Sequence, residues 1–228
     1  MRLRALLEVL ICSGFPTQLF VIGVLWAAGL PARRPDGELS LLFVSVLSLA
    51  DAALLISLVF VFLRAGHERA RDVFLGARPV LGEATRGVLL VPVSFLVAIA
   101  VMAAVRAAAP WLHDVLVNPF EAIMRTTRER MVLLFVVIVA GGLREEIQRA
   151  FILHRFEQWL GGAWVGLVLF SVSFGLGHLA QGSDVAIATA SLGAFWGVVY
   201  LRRRSVVAPA VAHAGFNASE ILGAGIAG

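Results

Sequence analysis

Long apolar runs, separated by short polar connections, dominate the hydropathy pattern of the chain. A transmembrane helix needs about 20 mostly apolar residues. Seven segments meet or approach that requirement, at 6–30, 40–64, 86–108, 129–159, 163–180, 185–201 and 205–226. The pattern therefore predicts an all-α fold, a polytopic transmembrane helix bundle of about seven spans, with six to eight within the range that the pattern allows.

A mixed segment interrupts this pattern between the third and fourth predicted spans. It reads WLHDVLVNPFEAIMRTTRER at 111–130, with apolar and charged residues interleaved. Such segments are typical of pieces that lie along the membrane surface. We therefore expect residues 1–128 to form N-terminal transmembrane helices and an interfacial segment.

The composition agrees with a membrane location. The 228 residues are 60% hydrophobic and 15% charged, whereas about a quarter of the residues of a typical soluble domain are charged. Every basic side chain other than histidine is arginine, and the net charge is +4. Because basic residues of membrane proteins flank the spans, we predict membrane lipid as a partner and no nucleic acid. The arginine-only, alanine-rich composition favours a bacterial inner (cytoplasmic) membrane protein.

Several ionisable or strongly polar residues nevertheless lie inside the last predicted spans. A charged side chain at bilayer depth costs several kcal/mol unless it finds partners or water, and it usually marks a functional site. The segment GGLREEIQRAF holds four charges within six positions. The polar residues of interest in this part of the chain are Arg144, Glu145, Glu146, Arg149, His178, His213 and Asn217.

Helix arithmetic places these groups at a similar depth. The two glutamates lie about 16 residues before a predicted turn at Gly161–Gly162, and His178 lies about 16 residues after it. At 1.5 Å per residue, both are roughly 24 Å from the turn. His213 and Asn217 come after the RRRS turn by roughly 13 and 20 Å. Three helices should therefore bring their polar groups to one level.

This set of side chains suits water activation. A glutamate can act as general base with a histidine as relay, and a histidine and an amide can stabilise an oxyanion. Arg149 is spaced to hold Glu145 (i,i+4) or Glu146 (i,i+3) ionised. The same donors could bind one divalent metal such as zinc. The soluble-protease pattern HExxH and the serine pattern GxSxG are both absent.

Three motifs in order, REEIQRAFIL, FSVSFGLGHLAQG and GAFWGVVYLRRRSVVAPAVAHAGFN, resemble the CPBP family of intramembrane proteases. That family includes the Rce1-like type II CAAX prenyl endopeptidases and the Abi proteins. The resemblance covers about 140–218. It implies that residues 129–228 form a catalytic core, with four helices near 129–226. It also implies that one glutamate and His178 activate water, while His213 and Asn217 stabilise the oxyanion.

The first motif departs from the family pattern by one residue. The family usually has EExxxR, whereas this chain has EExxR. One residue turns a helix by about 100°, so Glu145 and Glu146 both remain candidates for the base. The cofactor also stays undecided between none and one divalent metal, held by Glu145 or Glu146 with His178 and His213.

The sequence thus predicts a membrane endopeptidase, with a membrane-associated peptide or protein as substrate. A catalytically silent immunity or scaffold protein of the same fold is the alternative, and a proton-coupled transporter is a third. The absence of an internal repeat disfavours the transporter. The oligomeric state and the side of the membrane on which the site opens are left open by the sequence.

Overall fold

The computed structural model describes residues 1–224, and these residues form a bundle of helices joined by short connections. The end of the predicted span 205–226, at 225–226, lies outside the described residues. The helices are α1 (Arg2–Ile11), α2 (Phe15–Ala27), α3 (Leu41–Ala65), α4 (Ala70–Phe74), α5 (Val80–Ala108), α6 (Thr127–Val136), a π-helical segment (Val137–Arg144), α7 (Glu145–Trp159), α8 (Ala163–Leu176), α9 (Ser183–Arg203) and α10 (Val207–Ala224).

A continuous helical rod runs from α6 through the π segment into α7. Its start is set by a capping box, in which the side chain of Thr126 accepts from the amide of Glu129 and the Glu129 carboxylate accepts from the amide of Thr126. This exchange satisfies donors that the first helical turn leaves unpaired. The π segment is the unusual part, because π-helical turns are rare and occur most often at functional sites.

Two reversals come after the rod and fold the last helices back on it. Gly161 and Gly162 have φ values of +100° and +102°, a region in which glycine alone is unstrained. They end α7 and start α8, where the predicted turn was placed. At the end of α9, Arg204 adopts the left-handed conformation with φ of 55°, and α10 begins three residues later.

The helices of the first half pack directly on this C-terminal group. The π segment and α7 contact α3, while α7 also contacts α1; α5 packs along both α9 and α10. A large apolar cluster joins them, and it includes Leu55 and Val59 of α3, Phe151 of α7 and Trp196 of α9. The division at 1–128 and 129–228 remains a prediction, and both parts contribute to the same core.

The all-α membrane bundle is confirmed, with fewer spans that qualify by length and apolarity than the predicted seven. Within residues 1–224, α3, α5 and α9 are each long and apolar enough to cross a membrane, and the bent pair α1–α2 makes a fourth candidate. A helix or helical run coincides with each predicted span. The remaining three fall short because α7 and α8 have only 15 and 14 residues and because α10 carries polar side chains.

The interfacial segment takes a different form from the amphipathic piece that the sequence predicted. Between α5 and α6 the chain forms two 3₁₀ turns, Pro110–Leu112 and Pro119–Ile123. Asp114 from this connection accepts hydrogen bonds from the amide and hydroxyl of Ser183, at 2.8 and 2.6 Å. The connection is therefore tied to the start of α9.

Candidate active site

The two adjacent glutamates open α7, directly after the π segment. Glu146 is 1% exposed, whereas the side chain of Glu145 keeps 20% of its accessible surface. Neighbouring residues on a helix project about 100° apart, so the two carboxylates approach a common partner from different sides. That partner is His213 of α10.

His213 bridges the two carboxylates. Its Nδ1 lies 2.9 Å from Oε1 of Glu146, and its Nε2 lies 3.7 Å from Oε2 of Glu145. An ionised carboxylate only accepts hydrogen bonds, so Nδ1 donates to Glu146. The predicted proximity of the first and third motifs is therefore observed, and Nε2 is the imidazole atom that faces Glu145.

Arg149 holds Glu146 from the other side. Its Nη1 donates to Oε1 of Glu146, and the guanidinium is fully buried. The guanidinium carbon also lies 5.0 Å from the ring centre of Phe174 and 5.4 Å from that of Phe170, distances at which an aromatic face attracts a cation. Of the two pairings that the sequence allowed, the structure has the one with Glu146.

His178 lies beyond the end of its helix, not inside it as the sequence predicted. Helix α8 ends at Leu176, so His178 occupies the next turn rather than a span that reaches 180. Its Nδ1 lies 2.9 Å from the carbonyl oxygen of Phe174 and donates to it. The Phe174 ring packs edge-on against both imidazoles, with its centre 5.0 Å from that of His178 and 6.0 Å from that of His213.

Asn217 lies one turn after His213 on α10, beside the π segment. A Cβ atom at Gly141 would fall 2.6 Å from Nδ2 of Asn217. The missing side chain at Gly141 thus lets the amide rest against the helix that carries the glutamates. Among the described residues, the structure brings together Glu145, Glu146, Arg149 and His213, with Asn217 and His178 at the edges of the group.

Trp196 belongs to this site and was missed by the sequence reasoning. Its indole stacks on the imidazole of His213, with ring centres 3.8 Å apart and an angle of 17°. The indole Nε1 donates to Oγ of Ser94, 3.1 Å away on α5. The only available signal was the position of Trp196 within GAFWGVVY, part of the third motif.

Arg144 and Asp51 form a second buried pair beside the site. Arg144 donates through Nη2 to Oδ2 of Asp51 and through Nη1 to Oε1 of Gln148, at 2.9 Å. Arg144 therefore pairs with Asp51 rather than with Glu145 or Glu146. Asp51, an isolated acid in the sequence of its predicted span, has its partner in this arginine.

The described side chains do not form a ready set of metal ligands. Across residues 1–224, no three His, Cys, Asp or Glu side chains converge in a way that could hold a metal ion. Oε1 of Glu146 is already shared between Arg149 and His213, and Nδ1 of His178 is bonded to the carbonyl oxygen of Phe174. A metal held by Glu145 or Glu146 with His178 and His213 therefore fits this arrangement poorly.

The fold and site together define a helical integral membrane protein with a buried glutamate–histidine centre. Residues 127–219 match the family described as type II CAAX prenyl endopeptidase Rce1-like. This match supports, for this part of the chain, the CPBP-type, Rce1-like assignment that its three motifs predicted, and the family is one of proteases. No curated protein matches the chain, and no solved structure matches it.

Proposed function

We propose that the protein is an intramembrane endopeptidase that hydrolyses a peptide bond of a membrane-associated peptide or protein. The observation that carries this proposal is the buried contact between Glu146 and His213, with Glu145 on the opposite nitrogen of the same ring. It lies within the segment that matches the Rce1-like protease family. Water activation by a carboxylate and an imidazole is the chemistry that such a centre supports best.

In this proposal Glu145 is the general base. Glu146 already receives hydrogen bonds from Arg149 and His213, so its carboxylate is occupied in orienting these two side chains. Glu145 is the more accessible carboxylate and faces the free nitrogen of His213. The role of Glu146 is then to orient His213, as a carboxylate orients the histidine in other hydrolases.

The proposed reaction is built from these roles. Glu145 takes a proton from water as the water oxygen attacks the peptide carbonyl carbon, and the carbonyl π electrons move onto oxygen. His213, which in its imidazolium form donates from Nε2 while Nδ1 donates to Glu146, and the amide of Asn217 stabilise that oxyanion. Protonated Glu145 then gives its proton to the amide nitrogen as the C–N bond breaks. The products are a carboxylic acid and an amine. His178 would orient the water through Nε2, since its Nδ1 is bonded to Phe174.

The location of the site restricts the substrate class. Glu146 and His213 are buried, and Glu145 is partly buried, among helices of a membrane bundle, so a substrate must itself be embedded in the bilayer or anchored to it. A prenylated C-terminal peptide is one form of such a substrate, as the family description implies. An apolar peptide without a lipid is the other.

The test is proteolysis by purified protein in liposomes, with a membrane-anchored peptide library and product identification by mass spectrometry. We expect cleavage by the wild type and none by Glu145→Gln. Each protein is assayed with and without chelator, and activity that survives chelation separates the metal-free mechanism from a metal-dependent one. Tight peptide binding without any cleavage would contradict the proposal and favour the silent immunity or scaffold function.

A further inference from the structure

The pair Asp51–Arg144 connects the N-terminal helices to the start of α7. Asp51 lies in the middle of α3, and Arg144 is the last residue of the π segment. Both are buried, at 3% and 5% exposure. Gln148 extends the connection, because its Oε1 accepts from Arg144 and its Nε2 donates to the carbonyl of Cys12, 2.7 Å away.

That carbonyl lies at the break between α1 and α2, where the two helix axes differ by 43°. Cys12 comes after the last residue of α1, and Gly14 precedes α2 with φ of +97°. A Cβ at Gly14 would fall 3.1 Å from Nη2 of Arg144. The break in the first predicted span is thus the place where the Arg144 guanidinium is accommodated.

The direction of Arg144 determines the direction of the glutamates. Successive residues of a helix project about 100° apart, so Arg144 and Glu146 are separated by about 200° around the helix axis and lie on nearly opposite sides. When Arg144 points to Asp51 of α3, Glu146 must point to the other side. There it meets His213 of α10.

The π segment is the reason that the rotation of α7 must be fixed by such a contact. A π-helical turn holds one more residue than an α-helical turn, and its return to α-helical geometry would rotate α7 by about 100°. Such a rotation would remove Glu146 from His213. The far side of the segment is held by α10, since a Cβ at Gly142 would fall 2.5 Å from Cβ of Ala214.

We propose that Asp51 and Arg144 are a positioning pair, which fixes the rotation of α7 so that Glu145 and Glu146 face His213. The pair contacts no reacting group, and it acts through the helix. Breaking a buried ion pair is strongly destabilising, and here the loss also frees the rotation. The catalytic consequence rests on the proposed endopeptidase function, whereas the geometric consequence does not.

The first measurement is the separation of kcat from KM in Asp51→Asn. We expect kcat to fall on the order of a hundredfold, since small misplacements of reacting groups have effects of that size, with KM nearly unchanged. Glu83→Gln is the matched control, because Glu83 is also a buried acid that pairs with an arginine, Arg203 of α9. An equal fall of kcat in Glu83→Gln would overturn the proposal.

A second variant distinguishes a positioning role from a simple loss of folding stability. The double replacement Asp51→Leu with Arg144→Met removes both charges, and apolar replacement of a whole buried pair is often neutral for stability. We expect the thermal midpoint to recover toward the wild-type value while kcat stays low. Recovery of kcat along with stability would show a merely structural pair and overturn the proposal.

A third measurement is independent of proteolysis. A hydrophobic carbodiimide modifies accessible carboxyl groups in membranes, and peptide mass spectrometry locates the product. In the wild type we expect modification at Glu145 and protection of Glu146; in Asp51→Asn we expect Glu146 to lose its protection, while Glu83→Gln keeps the wild-type pattern. If Glu146 loses its protection in Asp51→Asn but the wild type cleaves no peptide, the proposed function is wrong and the positioning pair stands. If the modification pattern of Asp51→Asn equals that of the wild type, the positioning pair is wrong.

Discussion

Oε1 of Glu146 lies 2.9 Å from Nδ1 of His213, although 67 residues separate them in the chain. The contact joins the first turn of α7 to the middle of α10. Both side chains are buried, and the same Glu146 oxygen receives a hydrogen bond from Arg149. The contact occupies Nδ1 of His213 and leaves Nε2 facing Glu145. Each neighbour of this contact should therefore make a separable contribution to stability or turnover.

The two glutamates should respond differently to conversion into glutamine. We expect Glu145→Gln to abolish cleavage with little change in stability, because Glu145 is the less constrained carboxylate. Glu146→Gln should lower the stability by about 3 kcal/mol, since it leaves the buried Arg149 without its counter-charge. Turnover and thermal unfolding in detergent measure the two effects. A Glu145→Gln protein that cleaves like the wild type would show that Glu145 is not the base.

The stack of Trp196 on His213 should matter for turnover. Trp196→Phe keeps an aromatic face but loses the hydrogen bond to Ser94, so we expect a stability loss of about 1 kcal/mol and a small loss of kcat. Trp196→Leu removes the stack as well and should lower kcat further, with KM largely unchanged. The matched control is Trp159→Phe at the end of α7, where the residue is 41% exposed and far from His213 in the chain. If both Trp196 variants match that control in kcat, the stack has no catalytic role.

The two glycines of the π segment should differ in the kind of damage that alanine does. Gly142→Ala places a methyl against Ala214, and such overpacking costs about 1–3 kcal/mol. Gly141→Ala meets only the movable amide of Asn217, so it should lower kcat more than stability. Gly23→Ala in α2 is the control, since nothing lies within 4 Å of the added methyl. Thermal unfolding and steady-state kinetics of the three variants measure the difference, and equal behaviour of the two π-segment variants would contradict it.

Acid should weaken the polar cluster at the connection between α3 and α4. Burial alone would raise the pKa of Glu68, but hydrogen bonds from His154, Arg155 and Gln158 outweigh it and hold that pKa below its usual value. The stabilisation is therefore complete above the ordinary glutamate pKa of about 4.3 and is lost as the pH falls through the lower pKa of the folded state. We expect Glu68→Gln to have a lower thermal midpoint than the wild type at pH 7. That gap should narrow as the pH is lowered below about 4.3, and a constant gap would refute the assignment.

Much of the site obeys local rules. A helix or helical run lies at each place where apolar run lengths predicted one, and helix rise alone placed the glutamates near the level of His213. The spacing of three between Glu146 and Arg149 allowed the pairing that is observed. These quantities depend on one helix at a time, and so they can be derived from the sequence alone.

The order of the motifs also predicted the family that residues 127–219 match. REEIQRAFIL, the His178 segment and the HxxxN pair of His213 and Asn217 occur within 127–219, the part that matches the Rce1-like family. The choice between Glu145 and Glu146 as the base did not emerge from this resemblance. The EExxR spacing left both open, because one residue corresponds to a large rotation about the helix axis.

Only the tertiary structure decided how the helices are rotated against one another. It directed Arg144 to Asp51 rather than to its neighbouring glutamates, placed Trp196 on His213, and left His178 in the turn after α8, against Phe174. The physical reason is that periodicity specifies positions along and around a single helix. The face that each helix turns to its neighbours depends on packing among residues far apart in the chain, here including the close approach of α10 to the glycines of the π segment.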